Sequence, residues 1–243
     1  MNIGAAASER AGTILEWLGS RGDDLIILTE TSCGPGTELL SVGLTTRGYE
    51  VVATPPNNDR GVLVASRMPV RKRLCDKLAV SLPWRAAGVV LDTCPPLAVI
   101  GVYVPSRDRS PAKIERKRDF IESFLTGLKG LSKSVRKHLL IAGDYNVVSR
   151  RHDPPRKGYF SYEYAFHEAL ERLGFAAGHE LRGGGQHPYS WVGRTGDGYL
   201  YDYVHLGDGL QSRIDVCEYV HDTRQQRLSD HAAVAFSCRL DSE

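Results

Sequence analysis

Apolar residues in this chain fall into short runs, and the runs follow two different periods. Segments 25–29, 49–54, 61–66, 86–92, 98–104, 138–142, 201–206, 214–221 and 232–238 are compact, rich in Val and Ile, and mostly bounded by Gly, Pro or Asp. That pattern predicts strands. Three other segments repeat their apolar positions at helical spacing. Ser8 stands where it can cap a helix whose Ala11, Ile14, Leu15 and Leu18 share one face, with Gly19 as the stop. Ser110-Pro111 sets a cap before a proline at the first helical position, and Ile114, Ile121, Phe124, Leu125 and Leu128 recur after it. Residues 161–173, closed by Gly174, make the third helix.

Strands that alternate with helices, together with strands that follow one another as hairpins, predict a mixed α/β domain built in layers. No Ser/Gly-rich linker interrupts it, so residues 1–243 read as a single domain. Two polar stretches read as surface loops. One is 149–159, with Arg150, Arg151, His152, Arg156 and Lys157; the other is 183–198, glycine-rich but holding Tyr189 and Trp191.

Composition narrows this picture a little. At 243 residues and 42% hydrophobic, the chain can bury a sizeable core. A net charge of +2 does not by itself point to nucleic acid, so only local clusters of cations can. Of these, Arg71-Lys72-Arg73 and 133–137 read as solvated surface. Cysteines 33, 75, 94, 217 and 238 are odd in number and form no C-x-x-C pair, which fits a reduced, cytoplasmic protein without structural zinc. No charged-then-apolar leader opens the sequence, and no apolar run approaches the roughly 18 residues that span a bilayer, so no membrane partner is expected.

The candidate chemistry lies where apolar runs stop. "HLLIAGDYNVV" ends its strand in Asp144 and Asn146; the LIIL run ends in Thr29-Glu30-Thr31; "LAVIGVYVPS" ends near Tyr103; "YLYDYVHL" embeds Asp202; and "RLSDHAAVAF" sets Asp230-His231 before a strand. Any one such acid is more often a solvated turn or a helix cap. Together they supply the parts of phosphodiester hydrolysis, which needs a hard cation on the phosphate, an oriented water and a donor facing the developing charge. Glu30 and Asp230 offer oxygen ligands for Mg²⁺, with Mn²⁺ a possible substitute. Asp144 can orient or deprotonate the water, and Asn146 can bond the same group or the phosphate. His231 can donate to a phosphate oxygen if a carboxylate holds its other nitrogen, and Asp202 is the candidate. Tyr103 adds a neutral donor.

In their order along the chain, "LTET", "GVLVASRMPV", "VYVPS", "GDYNVV", "YSWVG", "YDYV" and "LSDHAAV" resemble the endonuclease/exonuclease/phosphatase superfamily over nearly the whole length. The exonuclease III and apurinic/apyrimidinic endonuclease branch is the most similar. Asp153 nine positions past Asp144, the basic helix after the YVP motif with Lys117, Arg118 and Phe120, and Ser190-Trp191 all resemble that branch. The aromatic-then-Arg signature of inositol phosphatases is replaced by Val147-Val148.

The resemblance implies a four-layer αββα sandwich of two packed sheets. It implies Asn2 and Glu30 in the metal shell with Asp230 nearby, and Tyr103, Asp144, Asn146, Asp202 and His231 as catalytic residues. It also implies DNA as substrate, as a duplex with a lesion or an end, in repair or processing. Arg151, Arg156 and Lys157 would then meet phosphates, and Tyr189 and Trp191 would stack on a base or pack beneath the loop.

Two positions depart from the family pattern. Gly4 stands where the family has Asp or Asn, and Leu200 stands where it has Arg. Asn2, which in the family closes a first strand, here follows Met1 directly. Either that strand is barely present, or the start lies upstream, or Asn2 is not the equivalent residue. Two other functions remain open: a phosphodiesterase or phosphatase acting on a small phosphorylated molecule, and a weakened enzyme that chiefly binds DNA or a partner.

Overall fold

The computed structural model describes residues 1–55, 58–74, 78–182 and 188–240. Four of its helices are longer than eight residues: α1 (Ser8–Arg21), α2 (Pro35–Thr46), α3 (Pro111–Gly130) and α4 (Ser161–Arg172). Its strands are β1 (Leu25–Thr31), β2 (Glu50–Ala53), β3 (Gly61–Ser66), β4 (Val70–Arg73), β5 (Ala86–Leu91), β6 (Leu97–Tyr103), β7 (Leu139–Asp144), β8 (Ala176–Ala177), β9 (Trp191–Val192), β10 (Gly198–Tyr199), β11 (Asp202–Leu206), β12 (Ile214–Val220) and β13 (Ala233–Cys238).

Six strands form one sheet in the order β4-β5-β6-β7-β11-β8, with β6 and β7 parallel and the other pairs antiparallel. The layer facing it consists of β1-β3-β2 and the hairpin β12-β13. Strand periodicity sorts the side chains between layers. In β3, Val62 and Val64 face the opposite sheet while Leu63 and Ala65 face α1 and α2. In β6, Leu97, Val99 and Tyr103 join the inter-sheet core, whereas Ala98, Ile100 and Val102 pack with Phe120 and Phe124 of α3 and Phe166 of α4. The outcome is helices, sheet, sheet, helices, which is the four-layer αββα sandwich expected from the sequence. Each fully buried Leu or Phe in these three apolar clusters contributes about 2 kcal/mol.

The local differences from the sequence reading have physical causes. Helix α1 runs past Gly19 to Gly22, whose φ of 71° makes the left-handed C-cap, and Ser8 is the first helical residue rather than a bonded cap. Helix α2 was not expected, because its Gly, Ser and Thr content hides the pattern of Leu40 and Leu44. Those small residues permit close packing. A Cβ on Gly36 would lie 1.9 Å from the Ala6 carbonyl oxygen, and one on Gly43 would lie 2.1 Å from Leu15. The 183–198 stretch carries β9 and the first residue of β10, which pair as a short hairpin; its first five residues lie outside those described. No helix is long and apolar enough to cross a membrane among the described residues, and the described cysteines form no disulfide.

Candidate active site

Six separate chain segments meet at one edge of the two sheets. Tyr103 closes β6 and Asp144 closes β7, side by side in parallel register. Asp202 opens β11 directly opposite Asp144. Glu30 comes from β1 of the facing layer, Asn2 bridges to Thr29 beside it, and His231 precedes β13. Sheet register therefore assembles the group.

The backbone is tightly shaped here. Gly143 has φ 150°, and a Cβ on it would lie 1.9 Å from the Val102 carbonyl oxygen, so only glycine lets Asp144 approach β6. Glu30 and Asn146 hold φ of 56° and 50°, left-handed values that cost energy in ordinary residues. Between Asp144 and Asn146, Tyr145 is buried in the apolar core and stacks on Tyr203. The GDYN run thus puts two polar side chains on one side of the chain and an anchor on the other.

Hydrogen bonds link the group. Asn2 Nδ2 donates to Glu30 Oε1 and to Asp144 Oδ2, both at 3.0 Å. Tyr103 OH donates to Glu30 Oε1 at 2.9 Å. The Asn146 backbone N–H donates to Asp144 Oδ1 at 2.8 Å, while Asn146 Nδ2 reaches Val104 O at 3.0 Å. His231 Nδ1 lies 2.7 Å from Asp202 Oδ2. One ligand atom from each of Asp144, Asp202 and His231 falls within 4.8 Å of the others.

Electrostatics follow from burial. Asp144 is held well above the usual carboxylate range, first by burial and then by the charge of Asp202, against the pull of His231. Burial opposes the charged form of His231, but Asp202, by charge and hydrogen bond, leads Asp144 and Asp230 in raising it well above an ordinary histidine. Burial and Glu30 push the Tyr103 phenol up, so it stays a donor. Arg85, itself buried, stacks its guanidinium 4.4 Å from the centre of the Tyr103 ring and fixes its orientation.

Several residues support the group from behind; of these the sequence pointed to Ser190 and Lys117 by resemblance alone, and gave no signal for Ser229 and Thr223 beyond their polarity. Ser190 Oγ accepts the backbone N–H groups of Tyr201 and Asp202 at 3.1 Å. Ser229 Oγ accepts the His231 N–H at 3.0 Å, and Thr223 Oγ1 donates to the His231 carbonyl at 2.8 Å. Lys117, read from sequence as part of a basic helix face, is 1% exposed. Its Nζ lies 2.7 Å from the Asn146 carbonyl oxygen and 2.8 Å from Glu163 Oε1, and Arg107 pairs with the same carboxylate. A buried cation therefore braces the strained Asn146 from below.

The remaining site candidates lie further out and have partners of their own. Asp230 is exposed, and its Oδ2 accepts the Trp191 indole N–H at 3.0 Å. Arg151 is exposed and paired with Glu171 and Glu180. Arg156 bonds Asp197 at 2.8 Å and the Gly198 carbonyl, clasping β10 to the loop. These guanidinium groups meet internal partners because the loop folds back on α4 and β10, which its composition does not encode. Lys157 is exposed. Trp191 packs against Tyr199 and Tyr201, and Tyr189 lies against His221 with Arg224 over its ring. Leu200 is fully buried in the core and Gly4, at φ 48°, donates its N–H to Asn2 Oδ1 at 2.8 Å.

Comparison with known proteins gives a consistent picture. Residues 2–231 match the sequence pattern of the Endonuclease/Exonuclease/phosphatase family. No curated protein matches the chain. Among solved structures, an AP endonuclease from Archaeoglobus fulgidus superposes with a TM-score of 0.79 at 17% identity, covering 98% of each chain. A 3′-5′ exonuclease from Neisseria meningitidis gives 0.79 at 19%, over 98% of this chain and 97% of the other. A 3′ phosphatase from Neisseria, bound to a product DNA hairpin, gives 0.77 at 17%, over 97% and 96%. At these identities the likeness is one of fold.

Proposed function

The chain belongs to the endonuclease/exonuclease/phosphatase family, and from that premise we propose that it hydrolyses phosphodiester bonds of the DNA backbone, as AP endonucleases and 3′-5′ exonucleases do, with Mg²⁺ as cofactor. The observation that carries this reading is the junction of Asp144, Asp202 and His231 with Glu30, Asn2 and Tyr103 at one sheet edge. The donor set fits a hard divalent cation. It is rich in carboxylate oxygen, and Asp144 is buried beside a second carboxylate with too little positive charge around it, a strain that a cation relieves. Glu30 would be the main ligand for Mg²⁺, or for Mn²⁺ in its place, with Asn2 bonding both Glu30 and Asp144 so that the ion lies beside the carboxylate that handles the water. When bound, the ion neutralises charge on the phosphate oxygens.

The protein's own groups supply the rest. Asp144, ionised and aligned by the Asn146 backbone, orients the attacking water and accepts its proton. Asp202 holds Nδ1–H of His231, leaving Nε2–H to donate to a phosphate oxygen as charge builds there. Tyr103 adds a neutral donor. The attack needs no covalent intermediate on the protein. The proposal treats residues 1–243 as one catalytic domain, with Trp191 and Lys157 offering the substrate a stacking face and a cation at the rim.

One observation favours a second reading. Arg151 and Arg156 are occupied by internal partners, which leaves fewer cations for a long duplex and suits a small phosphorylated molecule. Cleavage of abasic duplex, intact duplex and a small chromogenic phosphodiester, each with Mg²⁺ and with EDTA, decides between them. DNA cut only in the presence of Mg²⁺ supports the nuclease. Turnover of the small ester with both duplexes left whole transfers the proposal to small substrates, and binding without cleavage of any of the three makes this a DNA-binding module.

A further inference from the structure

Four segments far apart in the sequence place cations around one pocket on the Glu30 side of the candidate site. The pocket has a volume of about 480 Å³, and Glu30 and Tyr103 form the wall that it shares with the site. Arg60 comes from the segment just ahead of β3, Arg85 from the turn Pro83–Arg85 ahead of β5, Arg107 from the segment after β6, and Lys113 and Arg116 from the first two turns of α3. Against these five cations the described lining sets two acids, Glu30 and Asp59.

Two carboxylates here are each shared by two cations. Arg85 donates to Asp59 Oδ1 at 2.7 Å and to Oδ2 at 3.1 Å, and Oδ2 also accepts Arg116 and the Trp84 indole N–H. Glu163 takes both Arg107 and the buried Lys117. Each of these groups therefore keeps one positive charge that its carboxylate does not cancel. Arg60 adds a third, because its partner is Glu30 at 3.5 Å, the carboxylate that the divalent ion would claim. Lys113 is balanced by Asp108 at 2.8 Å. Arg85 supplies a second kind of sign. Its side chain is buried, and its Nη1 has no hydrogen-bond partner among the described residues. A buried donor left in that state costs about 1–3 kcal/mol, which an acceptor brought into the pocket would recover.

We propose that this pocket binds the terminal phosphate monoester of a nucleic-acid strand, on the nucleotide next to the scissile bond, an assignment that rests on the phosphodiesterase reading of the site. A monoester carries close to two negative charges at neutral pH and matches the uncancelled cations, whereas an internal phosphodiester carries one and uses only part of them. Guanidinium forks meet three free phosphate oxygens in paired, charge-assisted bonds. The volume admits the phosphate together with the sugar that bears it. Asp59 does not repel the ligand, since Arg85 and Arg116 cover its oxygens; it is a positioning residue that holds both guanidinium groups at the pocket. The shared wall of Glu30 and Tyr103 sets the monoester beside the phosphate that is cut.

Binding rather than cleavage tests this assignment. Dithymidine joined by a phosphorothioate, which slows hydrolysis, and bearing a 5′-phosphate, a 3′-phosphate or neither, is titrated calorimetrically into the Mg²⁺-loaded protein. One of the two phosphorylated forms is expected to bind about tenfold tighter or more than the unphosphorylated form, the worth of one charge-assisted hydrogen bond at the least; which form it is gives the polarity. Arg116→Gln should shrink that ratio to about twofold or less. Arg60→Gln should shrink it too, and it answers the question if the first variant does not fold. Equal affinities for all three ligands would overturn the proposal, as would a ratio that both variants leave intact. DNA cut without any discrimination among the three ligands removes the subsite and keeps the nuclease; discrimination without cleavage of DNA keeps the subsite and removes the nuclease.

Discussion

The two strand layers contribute to the candidate site in different ways. The six-stranded sheet delivers Tyr103, Asp144 and Asp202 from adjacent strands, locked in register by a continuous ladder. The facing layer delivers Glu30 from β1 and His231 from the start of β13, on two pieces that no strand joins among the described residues. One half of the site is therefore fixed by backbone pairing. The other half has only local backbone pairing, of β1 with β3 and of His231 with Trp191, and is tied to the first half by side-chain contacts: Asn2 and Tyr103 on Glu30 and Asp202 on His231, with Ser229 and Thr223 holding the His231 backbone. Register positions a residue by many bonds at once, whereas a single hydrogen bond can be lost to one substitution.

The largest effect should come from the half held by register. Asp144→Asn keeps the shape of the site but removes the base, and cleavage should fall by about 10²–10⁴ with little change in stability. Retained activity in steady-state assays would remove Asp144 from the chemistry. On the other half, His231→Ala and Asp202→Ala should each slow turnover by at least about tenfold, and the double variant should lose much less than the product of the two. Multiplicative losses would mean that the pair does not act as a unit.

Next comes Lys117, which joins the GDYN turn to α3 and α4. Lys117→Met leaves the Asn146 carbonyl without its cation and Glu163 with Arg107 alone, so stability should drop by about 3 kcal/mol in a denaturant titration. Turnover should fall more than substrate affinity, because Asn146 loses its support. If the variant unfolds as the wild type does, Lys117 is not the brace described here.

A gentler perturbation is pH. His167 and His205 are buried beside each other behind β7 and β11, and burial lowers both, His167 to about 3. In the unfolded chain a histidine titrates near the ordinary 6.5. Above that value both states are neutral and the full stability is present. As pH falls from 6.5 towards 3 only the unfolded chain takes up protons at these sites, so stability is lost by up to roughly 1.4 kcal/mol per pH unit for each histidine. His205→Leu should flatten the dependence in thermal melts between pH 6.5 and 4.5; an unchanged slope would assign the effect to other groups.

The smallest effect should come from the rim. Lys157→Ala should reduce the slope of log affinity for duplex DNA against log salt by about one, while Arg151→Ala, whose charge is already spent on Glu171 and Glu180, should leave it unchanged. Equal effects would show that Arg151 leaves its internal partners when DNA binds.

The sequence by itself determined nine of the thirteen described strands, missing the exposed β4 and the two-residue β8, β9 and β10, together with three of the four longer helices and the order of the polar groups that end those runs. These are local properties: apolar period, glycine and proline punctuation, and the two-residue spacing that puts Asp144 and Asn146 on one side with Tyr145 in the core. Only the tertiary structure decided which charges were free. Lys117 in its basic helix and Lys157 in its basic loop look alike as charges in the sequence, yet one is buried on a carboxylate from a distant helix and the other is exposed, because burial depends on partners far away in the chain. The same holds for Arg151 and Arg156, for Ser190 and Thr223 as supports, and for Asp230 held by Trp191. Helix α2 and the cationic pocket beside Glu30 belong here too, since close packing of small residues and the meeting of distant segments exist only once the layers are stacked.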